Sequence, residues 1–218
     1  MSGELLQQVI TMAAAFLLLI SFALLAQKRL LSVLHWFAMQ GVVLAAVTAL
    51  VAHANASTEL YVSAAITLAL KGVLLPWLLW KIIRKLDVHR EVEPLVNIPL
   101  TMLIAAALVV FAFVVALPIE KLSHLLTRNT IAIATANVLL GMLMMITRRK
   151  AITQVVGFLA IENSLFFAAI GATYGMPLVA ELGVAFDVLI ATIVFGLFFL
   201  QIRSTFDSLD LDAMERRP

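Results

Sequence analysis

Seven long apolar runs, separated by short polar interruptions, organise the chain at approximately 5–26, 31–52, 60–80, 99–118, 129–147, 151–173 and 178–202. Each is near the roughly 20 residues that a helix needs to cross a hydrocarbon core about 30 Å thick. Backbone N–H and C=O groups cannot be left unpaired in lipid, so runs of this length predict helices, each satisfying its own backbone. The interruptions carry charge or turn chemistry: Lys28 and Arg29, the Asn55-Ala-Ser57 step, the polar stretch 84–97 with Pro94 as a breaker, the basic cluster 148–150, and a Gly-Met-Pro turn ending at Pro177. The pattern predicts an all-α integral membrane protein with about seven transmembrane helices. The longest polar connection, 84–97, divides a first part of three helices (1–94) from a second part of four (95–202), with a tail at 203–218. No internal repeat is strong enough to split the chain, and it reads as a single membrane domain.

Composition agrees with this class. Of the 218 residues 63% are hydrophobic and 13% charged, against about 25% charged in soluble domains, and the mean hydropathy is +1.08. Basic residues then set the orientation, because cytoplasmic loops collect Lys and Arg. With the N-terminus outside, twelve of the fifteen basic residues fall on the inner side, only Lys121 and Arg128 fall outside, and Lys71 lies within a span. The expected topology is therefore N-terminus out, C-terminus cytoplasmic. The first run is not a secretory signal, since Glu4 precedes it and its basic residues follow it. The pI of 9.2 does not point to nucleic acid, because the basic residues are spread over several loops with no stripe of interleaved aromatics. With no cysteine, the chain can form no disulfide and hold no thiolate-bound iron–sulfur cluster. The four histidines are scattered without metal-ligand spacing, so no cofactor is expected in this chain.

The candidate chemistry lies in ionisable residues inside the apolar runs. Glu162 and Asp187 each sit near the middle of one of two consecutive segments within 151–202. A carboxylate at that depth costs at least about 2.5–3.5 kcal/mol on insertion scales and so needs a partner, water or a task. At about 1.5 Å per residue, Glu162 lies about 18 Å in from the basic cluster, and Asp187 about 14 Å in from the opposite edge. Lys71 lies about 16 Å from the outer end of its own run, at the level of the two acids. Ser63, Thr67 and Lys71 share one helical face at i, i+4, i+8, making a hydroxyl-lined stripe that ends at the ammonium. Gly72 and Pro76, four residues apart, mark a place where the helix can kink and expose backbone. Gln40 and Asn137 are polar at similar depth, either as relay members or as hydrogen-bonding glue between helices. The first segment offers only Ser21 and the fourth only Thr101 as interior polar residues, which suggests passive, lipid-facing packing.

At Gly157-Phe-Leu-Ala-Ile-Glu162-Asn163, followed by Asp187 and the tail containing Leu209-Asp210, the C-terminal part resembles the K subunit of respiratory complex I. In that family a Glu in each of two adjacent membrane helices belongs to the proton-translocation path. Glu162 matches the first position, and Asp187 keeps the carboxylate at the second on a shorter side chain. Over most of its length the chain is similar to component E of hydrogenase four, the formate-hydrogenlyase type of membrane-bound [NiFe] hydrogenase, with Lys71-Gly-Val-Leu-Leu-Pro76 resembling that family's Lys-x-x-Leu-x-Pro segment. The resemblance implies a subunit of the bacterial or archaeal cytoplasmic membrane, surrounded by lipid. It also implies antiporter-like and quinone-channel-like membrane partners, and peripheral hydrogenase subunits that carry the [NiFe] and iron–sulfur centres. Glu162, Asp187 and Lys71 would then contribute to a proton path, supported by Asn163, Asn137, Gln40, Thr67 and Ser63. Two other readings stay open: a non-conducting structural subunit of the same arm, and a K-like subunit of a multisubunit cation/proton antiporter.

Overall fold

In a computed structural model the chain is mostly helical; the structure describes residues 3–85, 94–120 and 128–173. In chain order these form α1 (Gly3–Ala26), α2 (Leu30–Asn55), α3 (Thr58–Thr67), a π-helical turn (Leu68–Leu74), α4 (Leu75–Lys85), α5 (Ile98–Glu120), α6 (Arg128–Thr147) and α7 (Ala151–Thr173). α3, the π-helical turn and α4 follow one another without a break, as one span-length unit, Thr58–Arg84. Five of the described helical units are long and apolar enough to cross a membrane, and α6 adds a shorter apolar stretch, Ile131–Thr147. The protein is a multi-pass membrane protein. The first six apolar runs of the sequence coincide with these units to within a few residues; the seventh, 178–202, which holds Asp187, and the tail 203–218 lie outside the described residues.

The connections explain how the units are held. Ala56 adopts a left-handed conformation (φ 50°) and gives its N–H to Ala52 and His53, which ends α2; Ser57 then accepts from the Leu60 N–H and starts α3. At the opposite end three connections meet. The Leu95 N–H donates to the Thr147 carbonyl at 2.8 Å, Pro94 pairs with Arg148 in an isolated bridge, and an Arg148 Nη2 N–H donates to the carbonyl of Leu25 near the end of α1. The alternation that consecutive membrane crossings require is thus visible in which loops touch.

Packing falls into two apolar slabs. One, toward the end where those loops meet, contains Leu24, Phe37, Leu78, Leu140 and Leu159; the other contains Leu17, Leu44, Leu60, Ile133 and Phe167. On α2, the π-helical turn, α6 and α7, buried polar residues lie between the two slabs: Gln40 on α2, Lys71 in the π-helical turn, Asn137 on α6, and Glu162 to Ser164 on α7. Ser21 of α1 is buried and meets this layer through Gln40. α5 stands at the periphery, with Leu103, Val110 and Val114 exposed, as an element facing lipid or a partner should be.

Candidate functional site

The π-helical turn is the local device that sets the site. Pro76 has no N–H to give to the Gly72 carbonyl, so an α-helical ladder cannot pass through this point intact. The chain widens instead, and the Leu75 N–H reaches back five residues to the Leu70 carbonyl. The widened backbone is accommodated by Gly41 of α2: a Cβ there would lie 2.8 Å from the carbonyl carbon of Lys71 and 2.9 Å from its Cβ. Only glycine permits this approach. The kink expected from Gly72 and Pro76 is therefore a π-helical turn wedged against α2.

Lys71 is fully buried, and its Nζ lies 2.6 Å from Oε1 of Glu162 on α7. The ammonium also sits over the Phe166 ring, 5.1 Å from its centroid, where the face of the aromatic quadrupole attracts a cation. Glu162 and Phe166 are one helical turn apart, so α7 grips Lys71 with an anion and a ring from the same face. A buried pair of this kind is bound tightly by Coulomb attraction in a poorly screened medium, and removing either partner leaves a buried charge.

A second set of bonds runs beside the pair. Asn163 Nδ2 donates to Gln40 Oε1 at 3.1 Å, Gln40 Nε2 donates to Ser21 Oγ at 3.4 Å, and Ser21 Oγ donates to the Leu17 carbonyl at 3.1 Å. The neighbouring residues Gln40 and Gly41 of α2 thus meet both halves of the site, one through Asn163 and the other through the Lys71 backbone. Among the described residues, the buried Ser63 Oγ, Thr67 Oγ1, Asn137 Oδ1 and Asn163 Oδ1 have no hydrogen-bond partner. Leaving such a group unsatisfied costs about 1–3 kcal/mol, and internal water is the usual remedy in folded proteins.

Of the residues expected from the sequence, Lys71 and Glu162 are brought into contact, Gln40 and Asn163 bond to each other, and Ser63 and Thr67 are buried on the run that leads to Lys71. Asn137 lies in the same polar layer with its amide oxygen unpartnered. Asp187 lies outside the described residues. Three participants were not legible in advance. Ser21 ends a hydrogen-bond chain across three helices, so α1 is more than passive packing. Gly41 and Phe166 shape the Lys71 position; a glycine beside a mid-span Gln is the signal that could have indicated the first, and an aromatic four residues after a mid-span Glu the second.

Arg148 departs from its expected place among the solvated cytoplasmic charges. It is 1% exposed, and its Nε and Nη1 have no hydrogen-bond partner. Burial pushes its pKa down, but a guanidinium remains charged at any working pH. Gln154 Nε2 donates to its backbone carbonyl at 2.9 Å. The residue acts as a clasp between the α6–α7 connection and the end of α1, where a cation also complements the helix dipole. Among the described residues no group of His, Asp and Glu could hold a metal ion.

Over 203 residues the chain is 35% identical to the uncharacterized protein Rv0085 of Mycobacterium tuberculosis, an alignment that covers 93% of this chain and 92% of that one. The chain belongs to the Rv0085 family. It is also similar, more distantly, to Hydrogenase-4 component E of Escherichia coli strain K12, at 24% identity over 199 residues covering 91% of this chain and 92% of that protein. Hydrogenase-4 component E of Shigella flexneri aligns with the same identity and coverage. These alignments run nearly end to end, so the likeness of this chain to component E is one of whole chains and not of a shared apolar segment. No family model and no solved structure matches the chain.

Proposed function

We propose that the protein is a membrane-arm subunit of a hydrogenase-type complex, and that its buried Lys71–Glu162 pair, together with Asp187, contributes to a path for proton translocation or coupling. The whole-chain similarity to Hydrogenase-4 component E supports the first half of this reading. The observation that carries the second is the 2.6 Å ion pair held between two apolar slabs, with unpartnered buried oxygens nearby that water would satisfy. A carboxylate held between burial, which opposes ionisation, and a cation, which favours it, can take up or release a proton when a neighbour's charge or hydration changes. Ser63 and Thr67 offer hydroxyls for water on one approach to Lys71; Asn137 and Asn163 offer amide oxygens in the layer itself. Redox centres, antiporter-like channels and the quinone-channel-like subunit belong to partners in the cytoplasmic membrane, with the N-terminus of this chain outside and seven spans in all.

The test is turnover of the assembled complex in vesicles, followed together with membrane potential. Glu162→Gln and Asp187→Asn are expected each to impair coupling by about a hundredfold or more, the scale of losing a positioned group that transfers a proton, while assembly persists. Wild-type coupling in both variants would assign the pair a structural role, fixing helix register beside a route carried elsewhere.

A further inference from the structure

We infer that the groove between the first turns of α2 and α4 is a binding site for an anionic phospholipid. The groove has a volume of about 310 Å³; Leu31, Leu34 and Ala38 of α2 form one wall, Pro76, Trp77 and Trp80 of α4 the other, and His35 lies at its side. Its walls are apolar, and Trp77 in one of them is exposed on the surface of the bundle, so an acyl chain would enter from the bilayer. Above the indoles stand two cations: Lys81 Nζ is 5.0 Å from the centroid of the Trp77 ring, and Arg84 Cζ is 4.2 Å from that of Trp80. Trp77, Trp80, Lys81 and Arg84 recur at the spacing of one helical face, the face opposite buried Leu75, Leu78, Leu79, Ile82 and Ile83.

Charge selects the occupant. Lys28 and Arg29, both exposed, lie just before α2 at the same end of the bundle as Lys81 and Arg84, and neither 28–42 nor 75–85 contains an Asp or Glu. Indoles under cations, at the level where a helix leaves hydrocarbon, suit a phosphate above and an acyl chain below. A transmembrane helix from a partner would fill the apolar walls but would need a carboxylate of its own at that level, whereas an anionic lipid brings its phosphate there by its position in the bilayer. A cation stacked on a ring keeps N–H donors free at its edge, so the aromatic contacts pre-position Lys81 and Arg84 without using up their capacity for phosphate. Pro76 lines the groove and lies two residues past the π-helical turn, so the occupant would brace the element that carries Lys71.

The experiment uses the full chain in mild detergent, titrated with phosphatidylglycerol or phosphatidylcholine and read by native mass spectrometry, with size-exclusion profiles to verify folding. The wild-type chain is expected to retain phosphatidylglycerol in preference by about tenfold or more, since two basic residues stand at the headgroup level. The Lys81→Gln/Arg84→Gln double variant should lose most of that preference, and Lys81→Arg/Arg84→Lys should keep it. Ala38→Phe, which fills the groove and leaves every charge in place, should lower retention of both lipids. An unchanged preference in the double Gln variant would overturn the proposal, as would full retention in Ala38→Phe, which would mean attraction to a basic surface without a groove. A photoreactive residue at Trp77, in native membranes, should crosslink lipid; crosslinking to another subunit would assign the groove to a protein partner.

Discussion

At the scale of single residues, the site rests on two groups that the sequence exposes plainly and on one that it hides. A Lys and a Glu inside apolar runs, at matching depth, could be read as partners from helical rise alone. The 2.6 Å contact between them is the geometry that such a reading requires. Gly41 was hidden, because its importance lies in a neighbour: no pattern within α2 reveals that the Lys71 backbone will approach it. The pair invites a double-variant cycle. Glu162→Gln or Lys71→Met alone leaves a buried charge and should destabilise the protein by about 3–5 kcal/mol, seen as a lower melting temperature in detergent. The double variant, neutral at both positions, should recover most of that loss, because replacing both charges removes the desolvation cost along with the attraction. Coupled turnover should stay low in all three. Recovery of turnover in the double variant would assign the pair to structure alone.

At the scale of elements, the apolar runs gave the helices, but the π-helical turn was beyond them. Gly72 and Pro76 signal a disturbance, and whether it becomes a kink or a widened turn depends on what packs alongside. Here Gly41 leaves room for the widened form. Replacing Pro76 with Ala restores an N–H and removes the main obstacle to an ordinary α-helix, in which residues on the two sides of the turn would rotate relative to each other, by up to about 100° for one residue of register. Pro76→Ala is expected to leave the helix stable while lowering coupled turnover several-fold; Gly41→Ala should lower both, because its Cβ meets backbone and not a movable side chain. The α6–α7 contact provides a comparison away from Lys71. A Cβ on Gly141 would meet Ile161 Cγ1 at 2.6 Å and the Gly157 carbonyl oxygen at 3.0 Å. Gly141→Val should therefore cost about 1–3 kcal/mol by overpacking, detectable as a drop in melting temperature.

At the scale of the whole molecule, what emerges is a polar layer between two apolar slabs, which explains why isolated polar residues in several different runs belong together. The sequence supplied their depth but not their adjacency, since helix neighbours in a bundle are not fixed by order along the chain. Arg148 teaches the same lesson at the bundle's end, where a residue counted with the loop charges is folded inward to clasp α1. The structure groups the 27–29, 94–97 and 148–150 connections at one end and the Ala56-Ser57 turn at the other, and in the orientation proposed above the first end is the cytoplasmic one. Because the chain has no cysteine, single cysteines can report this without background. Thr58 and Arg149 are both exposed and lie at opposite ends; Thr58→Cys avoids the Ser57 cap, and Arg149→Cys spares the buried Arg148. A membrane-impermeant maleimide added to intact cells should label Thr58→Cys and leave Arg149→Cys unlabelled until the membrane is opened. The reverse pattern would invert the topology and move Lys81, Arg84 and their groove to the outer leaflet, whereas labelling of both from outside would contradict the alternation of crossings on which the polar layer depends.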